Sequence, residues 1–192
     1  ILVSDFNAEH RYIDKIIRSR VPVRISYSGG GTDMSYFMNY KSGLTLSSTI
    51  SKYCYASLLV RNDKKIKIYS KDLDLSYSVN SFEKIEYGDQ LDLIKASIKI
   101  MNPDFGFDIE TNSEIGVGTG LGGSSAMSVA IIGLLNEFNN EKKLDLYDIA
   151  DLAYQAERIY LNISGGWQDQ YSTAFGGFNW IEFRNEDVLV NP

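Results

Sequence analysis

Apolar residues recur along this chain with two different periods. From Val21, "VPVRISYS" alternates and is rich in β-branched and aromatic residues, which predicts a strand. It stops at "GGGTD", whose glycines permit a tight turn that exposes backbone. The stretches "LTLSSTI", "YCYASLLV", "KIKIYS" and "LDLSYSV" predict successive strands, broken at Lys52 and at the turn-forming "RNDKK". The period then lengthens: "QLDLIKASIKIM" has helical spacing, before "FGFDIET" returns to strand alternation. The apolar run "SSAMSVAIIGLLNEFN" predicts a helix with Ser124 or Ser125 capping its first turn. A second helix, "LYDIADLAYQAERIYL", places Ile149, Leu152, Ala153, Ala156 and Ile159 on one face. After the loop "NISGGWQDQ", the segment "YSTAFGGFNWIEF" predicts a hairpin turning on Gly176 and Gly177. Residues 1 to about 19 read as a polar lead-in with a short amphipathic piece, "YIDKII".

Composition narrows the class. With 192 residues, 44% of them apolar and 23% charged, the chain is long enough for one domain with a proper core. A net charge of -6 argues against a nucleic-acid surface, which needs a basic face. No apolar run approaches the roughly 20 residues that span a bilayer, so no membrane segment is expected. The lone cysteine, Cys54, cannot form an internal disulfide, and a reducing, cytoplasmic location is expected. The start "ILVSDFNAEHRY" is not a signal peptide and lacks an initiator Met, so a trimmed or domain-cut product is expected. His10, the sole histidine, sits in the polar lead-in and is assigned no role.

The candidate chemistry lies in "IGVGTGLGGSSAMSVAIIGLL", where five glycines and two serines precede the apolar run. Gly118, Gly120 and Gly123 satisfy G-x-G-x-x-G between a strand and a helix. A dinucleotide-binding unit must then return to a strand ending in an acidic residue. Here "NEFNNEKKLDLYDIADLAY" reads as helix end, polar turn and helix, so that reading fails. Gly118 and Gly123 also match the outer glycines of a Walker A loop, but Ser124 stands where its lysine is needed. The third reading is a glycine loop whose amides, with a helix N-terminus, hold nucleotide phosphates beside a serine that ligates Mg2+. A glycine-rich turn with a serine cap is the bland alternative.

Three stretches together resemble the GHMP kinases. "GTGLGGSSA" is similar to the family's second motif, with one extra glycine, and "RVPVRISYSGGGTD" looks like its first. "AERIYLNISGGWQDQYSTAFGGFNWIEF" resembles the segment carrying a metal-binding Glu and a catalytic Asp. The combination is most similar to the branch that phosphorylates D-glycero-D-manno-heptose 7-phosphate. The resemblance implies an α+β fold, with a mostly antiparallel sheet packed on helices and a left-handed βαβ unit. It implies a lead-in over residues 1–17 and the ATP-binding N-terminal domain over 18–192. The family's C-terminal domain, with a third glycine-rich motif, has no match here.

Carried over by residue, the resemblance implies that Gly118, Gly120, Leu121, Gly122, Gly123, Ser124, Ser125 and Ala126 bind ATP. Ser125 and Glu157 would hold Mg2+, with Ser124 beside them. Asp169 would orient or deprotonate the acceptor hydroxyl. Arg24 stands near the position where several relatives carry a lysine that pairs with that Asp. Gly30, Gly31, Thr32, Asp33 and Gln168 would meet the sugar. Tyr36 and Tyr40 are candidates to stack on a sugar ring, though packing explains them as well. The function implied is ATP-dependent phosphorylation of the anomeric C1 hydroxyl of the heptose phosphate. The competing readings are a fucose- or galactose-type sugar-1-kinase and a non-catalytic ATP- or sugar-binding module. The expected partner is a small sugar or sugar phosphate, and homo-oligomerisation stays open.

Overall fold

The computed structural model describes residues 16–139, 143–184 and 187–192. The order along the chain is β1 (Ile16–Ser28), α1 (Ser35–Met38), β2 (Gly43–Val60), β3 (Ile66–Ser70), β4 (Leu75–Val79) and α2 (Asp92–Met101). There follow β5 (Phe107–Ser113), α3 (Gly123–Asn136), α4 (Leu146–Tyr154), α5 (Gln168–Phe175), β6 (Phe178–Arg184) and β7 (Asp187–Asn191). The α+β expectation holds: one mixed sheet, mostly antiparallel, is packed against helices. The strand read from Val21 begins at Ile16, so the end of the presumed lead-in belongs to the sheet. His10 and most of "YIDKII" lie outside the described residues.

β2 organises the sheet. β1 pairs antiparallel along one side of it, from Ile16 opposite Leu59 to Ser28 opposite Leu46. Its other side is shared, with Cys54–Val60 pairing to β5 and Gly43–Ser48 to β6. β3 runs parallel to β5 and antiparallel to β4, and β7 closes on β6. Lys52 does not break this strand. The register instead shifts from Pro22 opposite Tyr53 to Arg24 opposite Thr49, so Ile50, Ser51 and Lys52 together face Val23. That bulge disturbs the alternation of β1, and two consecutive residues, Val23 and Arg24, are both buried.

The core fills one face of the sheet. Cys54, Ala56, Leu58, Ile66, Ile68, Phe107 and Ile109 supply the strand side, at alternate positions. α3 lies at its centre and is buried on nearly every face, from Ser125 to Ile132 and again from Leu134 to Asn136. A helix apolar all round is stable only inside a core. Its N-cap is Gly122, with no side-chain cap, so neither Ser124 nor Ser125 does the capping expected of them.

Two further expectations are corrected. "YSTAF" belongs to α5, and Gly176 ends that helix with φ 66° instead of turning a hairpin. The hairpin of this region is β6–β7. The second helix is also irregular: α4 starts at a capping box between Asp145 and Asp148, then passes into a π-helical turn over Gln155–Tyr160. The extra residue rotates the stripe, burying Ala156 and Glu157 while leaving Ile159 65% exposed. Ile131→Ala, in the middle of α3, is expected to cost about 2–5 kcal/mol in denaturant unfolding. Ile159→Ala is expected to change stability by less than about 0.5 kcal/mol; equal losses would mean that the α-helical register continues through residue 159.

Candidate active site

The glycine loop runs from the end of β5 into α3. Gly118, Gly120 and Gly122 have φ of 76°, 72° and 72°, values that side chains other than hydrogen rarely adopt. Left-handed residues alternating with residues of negative φ are the backbone pattern from which anion-binding nests are made. α3 begins directly behind the loop with its first N–H groups uncapped by any side chain. The loop forms one wall of a cavity of about 380 Å³, a size that suits a small ligand. Ser70, Asp72, Leu73, Gln90, Leu93 and Ile94 line its other end, and Ser124 and Asp169 also open onto it. Cys54 lies beneath the loop, its Sγ 3.5 Å from the Gly123 carbonyl oxygen, and burial pushes its thiol above the ordinary value.

Arg24 joins the parts of the site. Its Nε and Nη2 donate to one carboxylate oxygen of Asp169, Oδ1, at 2.9 and 2.5 Å. Its Nη1 donates to the Gly120 carbonyl at 2.7 Å, and its backbone N–H to the Leu121 carbonyl at 3.0 Å. The guanidinium is almost wholly buried, so these partners are what make its burial tolerable. Asp169 sits in the first turn of α5, part-exposed, and Oδ2 takes no hydrogen bond among the described residues.

Glu157 is fully buried on the π-helical turn. Ser124 donates to its Oε2 at 3.0 Å, Gln170 donates to its Oε1 at 2.9 Å, and Arg158 Nη1 stands 3.4 Å from Oε2. Successive residues of a helix point about 100° apart, and the consequence here is sharp. Ser124 faces the cavity and Glu157, whereas Ser125 is fully buried, with a hydroxyl that makes no hydrogen bond. Ala126 is buried behind it.

The remaining expected residues divide into two groups. Asp33 is 1% exposed, and its carboxylate accepts from the backbone N–H of Gly31 at 3.1 Å and of Gln168 at 2.9 Å. It thereby ties the "GGGTD" turn to the start of α5. Thr32 spends its hydroxyl on the backbone of Gly29 and Leu44. Gly30 is exposed, and Gln168 accepts from Ser26 through Oε1 at 2.9 Å, leaving its amide nitrogen toward Gly30. Tyr36 and Tyr40 are exposed on and just beyond the short α1. Sequence reasoning missed Gln170 and Arg158, whose signal was only their position beside Asp169 and Glu157.

Among the described residues no three His, Cys, Asp or Glu side chains gather to hold a metal. A cation here would rest on one carboxylate, one hydroxyl and ligand oxygens. Mg2+ is often held that way, by one or two carboxylates and the phosphates of a substrate. The donor set of Glu157 and Ser124 therefore fits it. No helix among the described residues is long and apolar enough to cross a membrane.

The glycine loop at the start of α3 and the carboxylate of Asp169 thus line one cavity. Residues 92–177 match the family of GHMP kinases N terminal domain. It is 40% identical over 184 residues to the D-glycero-alpha-D-manno-heptose 7-phosphate kinase of Campylobacter jejuni, covering 93% of this chain and 54% of that protein. The crystal structure of a D-glycero-D-manno-heptose 1-phosphate kinase from Bacteroides thetaiotaomicron superposes with a TM-score of 0.84 at 37% identity, covering 92% of this chain and 59% of that one. Lactococcus lactis galactokinase complexed with galactose shares the fold, with a TM-score of 0.76 at 22% identity over 97% of this chain and 50% of that one. The chain thus spans about half to three-fifths of the length of these relatives.

The buried thiol supplies a check on the packing below the loop. Cys54 is expected to resist alkylation at pH 8 in the native state and to react only as fast as the core opens, because the thiolate is the reactive form. Rapid labelling without unfolding, followed by mass spectrometry, would contradict the burial described.

Proposed function

We propose that the protein transfers the γ-phosphoryl group of ATP to a hydroxyl of a sugar phosphate. One observation carries the proposal: Arg24 physically links the phosphate cradle, through Gly120, to the carboxylate of Asp169 in the same cavity. Phosphoryl transfer asks for neutralised phosphate charge and an acceptor hydroxyl held in line. The amides of the glycine loop and of the first turn of α3 supply the first. Asp169 supplies the second, since Arg24 occupies Oδ1 alone and Oδ2 is left to accept from the acceptor hydroxyl. The same guanidinium keeps the carboxylate oriented, which suits a loose transition state needing little early proton removal.

Mg2+ held at this site would supply positive charge beside the phosphates. Glu157 and Ser124 are the residues that would hold it, in preference to Ser125. On the acceptor side, Gly30 and the amide of Gln168 offer hydrogen bonds to hydroxyls, while Asp33 and Thr32 hold the surrounding backbone. We take the acceptor to be C1 of D-glycero-D-manno-heptose 7-phosphate. The 40% identity to the Campylobacter jejuni enzyme, whose name gives that substrate, supports the choice.

The test is ADP release by the intact protein with MgATP and a panel of the heptose 7-phosphate, free heptose, fucose and galactose. The expected result is turnover with the heptose 7-phosphate and a product phosphorylated at C1. Turnover with fucose or galactose alone would move the protein to another sugar-1-kinase, and ATP binding without turnover would leave a binding module. Asp169→Asn is expected to lower kcat by about 10²–10⁴-fold with MgATP affinity within a few-fold. Ser124→Ala and Glu157→Gln are expected to raise the Mg2+ concentration needed for half-maximal rate, and Ser125→Ala to leave it unchanged. The reverse order between the two serines would return the metal to Ser125.

A further inference from the structure

We propose that Arg158 is a positioning residue: it clamps the loop 164–166, and so sets where Asp169 stands relative to Glu157. The inference rests on the kinase reading for its activity readout, but its geometry does not. Arg158 follows Glu157 on the π-helical turn, and its side chain is 11% exposed. Nε faces the Gly166 carbonyl at 3.4 Å and Nη1 the Ser164 carbonyl at 3.5 Å. The same Nη1 stands 3.4 Å from Glu157 Oε2. Each contact is long taken singly. Together they set one planar cation against three acceptors, two on the loop and one on the candidate metal carboxylate.

Gly165 shows how close the fit is. A Cβ on Gly165 would lie 2.5 Å from Cζ and from Nη2 of Arg158, so the guanidinium rests against the bare peptide. The φ of Gly165 is not among the left-handed ones, so its backbone alone would accept alanine. What a methyl there would push aside is the guanidinium of Arg158. The opposite side of the loop is held in the same way, with Asp33 Oδ2 2.0 Å from where a Cβ of Gly166 would stand. Asp33 then accepts from the Gln168 N–H, one residue before Asp169. A cation on one glycine and a carboxylate on the next hold the segment that leads into α5. The cation also touches Glu157, so the metal carboxylate and the acceptor carboxylate share one brace.

The experiment uses the intact protein with Arg158→Ala, Gly165→Ala and the double variant. Arg158→Ala and Gly165→Ala are each expected to lower kcat at least about tenfold, since small misplacements of reacting groups carry losses of that order. The KM for MgATP is expected to stay within about twofold, a kcat-against-KM split typical of lost positioning. Arg158→Lys is expected not to restore kcat, because an ammonium cannot span two carbonyls. The double variant is expected to be no slower than Arg158→Ala alone, because the three atoms nearest the added methyl all belong to Arg158. Amide hydrogen exchange over residues 163–168 is expected to speed up in both single variants without any substrate, a readout that survives if no sugar is accepted. Multiplying losses in the double variant, normal kcat in Arg158→Ala, or unchanged exchange in that loop would each overturn the proposal.

Discussion

A buried arginine is the constraint around which this site is built. The guanidinium of Arg24 has left water, and an unpaired charge in that position would cost several kcal/mol. It is tolerated because two segments far along the chain, at sequence separations of 96 and 145 residues, bring it a carbonyl and a carboxylate. The arginine reaches that position only because β2 bulges opposite Val23. In a regular ladder Val23 and Arg24 would face opposite sides of the sheet, and one of them would lie in solvent. The bulge is therefore part of the site, although it lies on the far side of β2 from the loop's own strand.

Glu157 poses the complementary problem of a fully buried carboxylate. A hydroxyl, an amide and a guanidinium surround it, and the partners come from α3, α5 and its own turn. The π-helical turn makes this possible by adding a residue, which turns Glu157 inward and Ile159 outward. The two carboxylates of the site thus live in different surroundings. Glu157 is enclosed by donors that a cation with its own oxygen ligands can rearrange, whereas Asp169 keeps one oxygen open to the cavity. That division suits one group to a metal and the other to a substrate hydroxyl.

Much of this was legible in the sequence, and the failures have physical causes. Alternation found most of the strands, helical spacing found α2 and α4, and the long apolar run found α3, because those elements bury one face or are buried entirely. The break at Lys52 was misread because a bulge exposes two neighbouring residues just as a turn does. α5 was misread because "QDQYSTAF" mixes β-branched, aromatic and polar residues with no clear stripe; its helical state comes from packing and from Asp33 meeting its first N–H. The motifs placed Arg24, Glu157 and Asp169 on the page and implied the pairing of Arg24 with Asp169, but not the contact of Arg24 with Gly120 or the enclosure of Glu157. Which of Ser124 and Ser125 meets Glu157 was not legible, since it turns on the residue at which α3 begins.

The identity of residue 24 matters as much as its charge. A lysine there offers a point charge that suits one carboxylate and leaves the Gly120 carbonyl without a donor. Arginine offers a rigid fork: two of its nitrogens converge on Asp169 Oδ1 while the third holds the loop. Any motion of the phosphate cradle is thereby felt at the carboxylate that would face the acceptor, and the reverse. Were phosphate and hydroxyl to meet in line in this cavity, as proposed, a single planar side chain would fix the distance between their holders. It would do so without a second charge that would itself need burial. The same logic recurs on a smaller scale at Arg158, where planarity against a glycine lets one cation face a carboxylate and two carbonyls together.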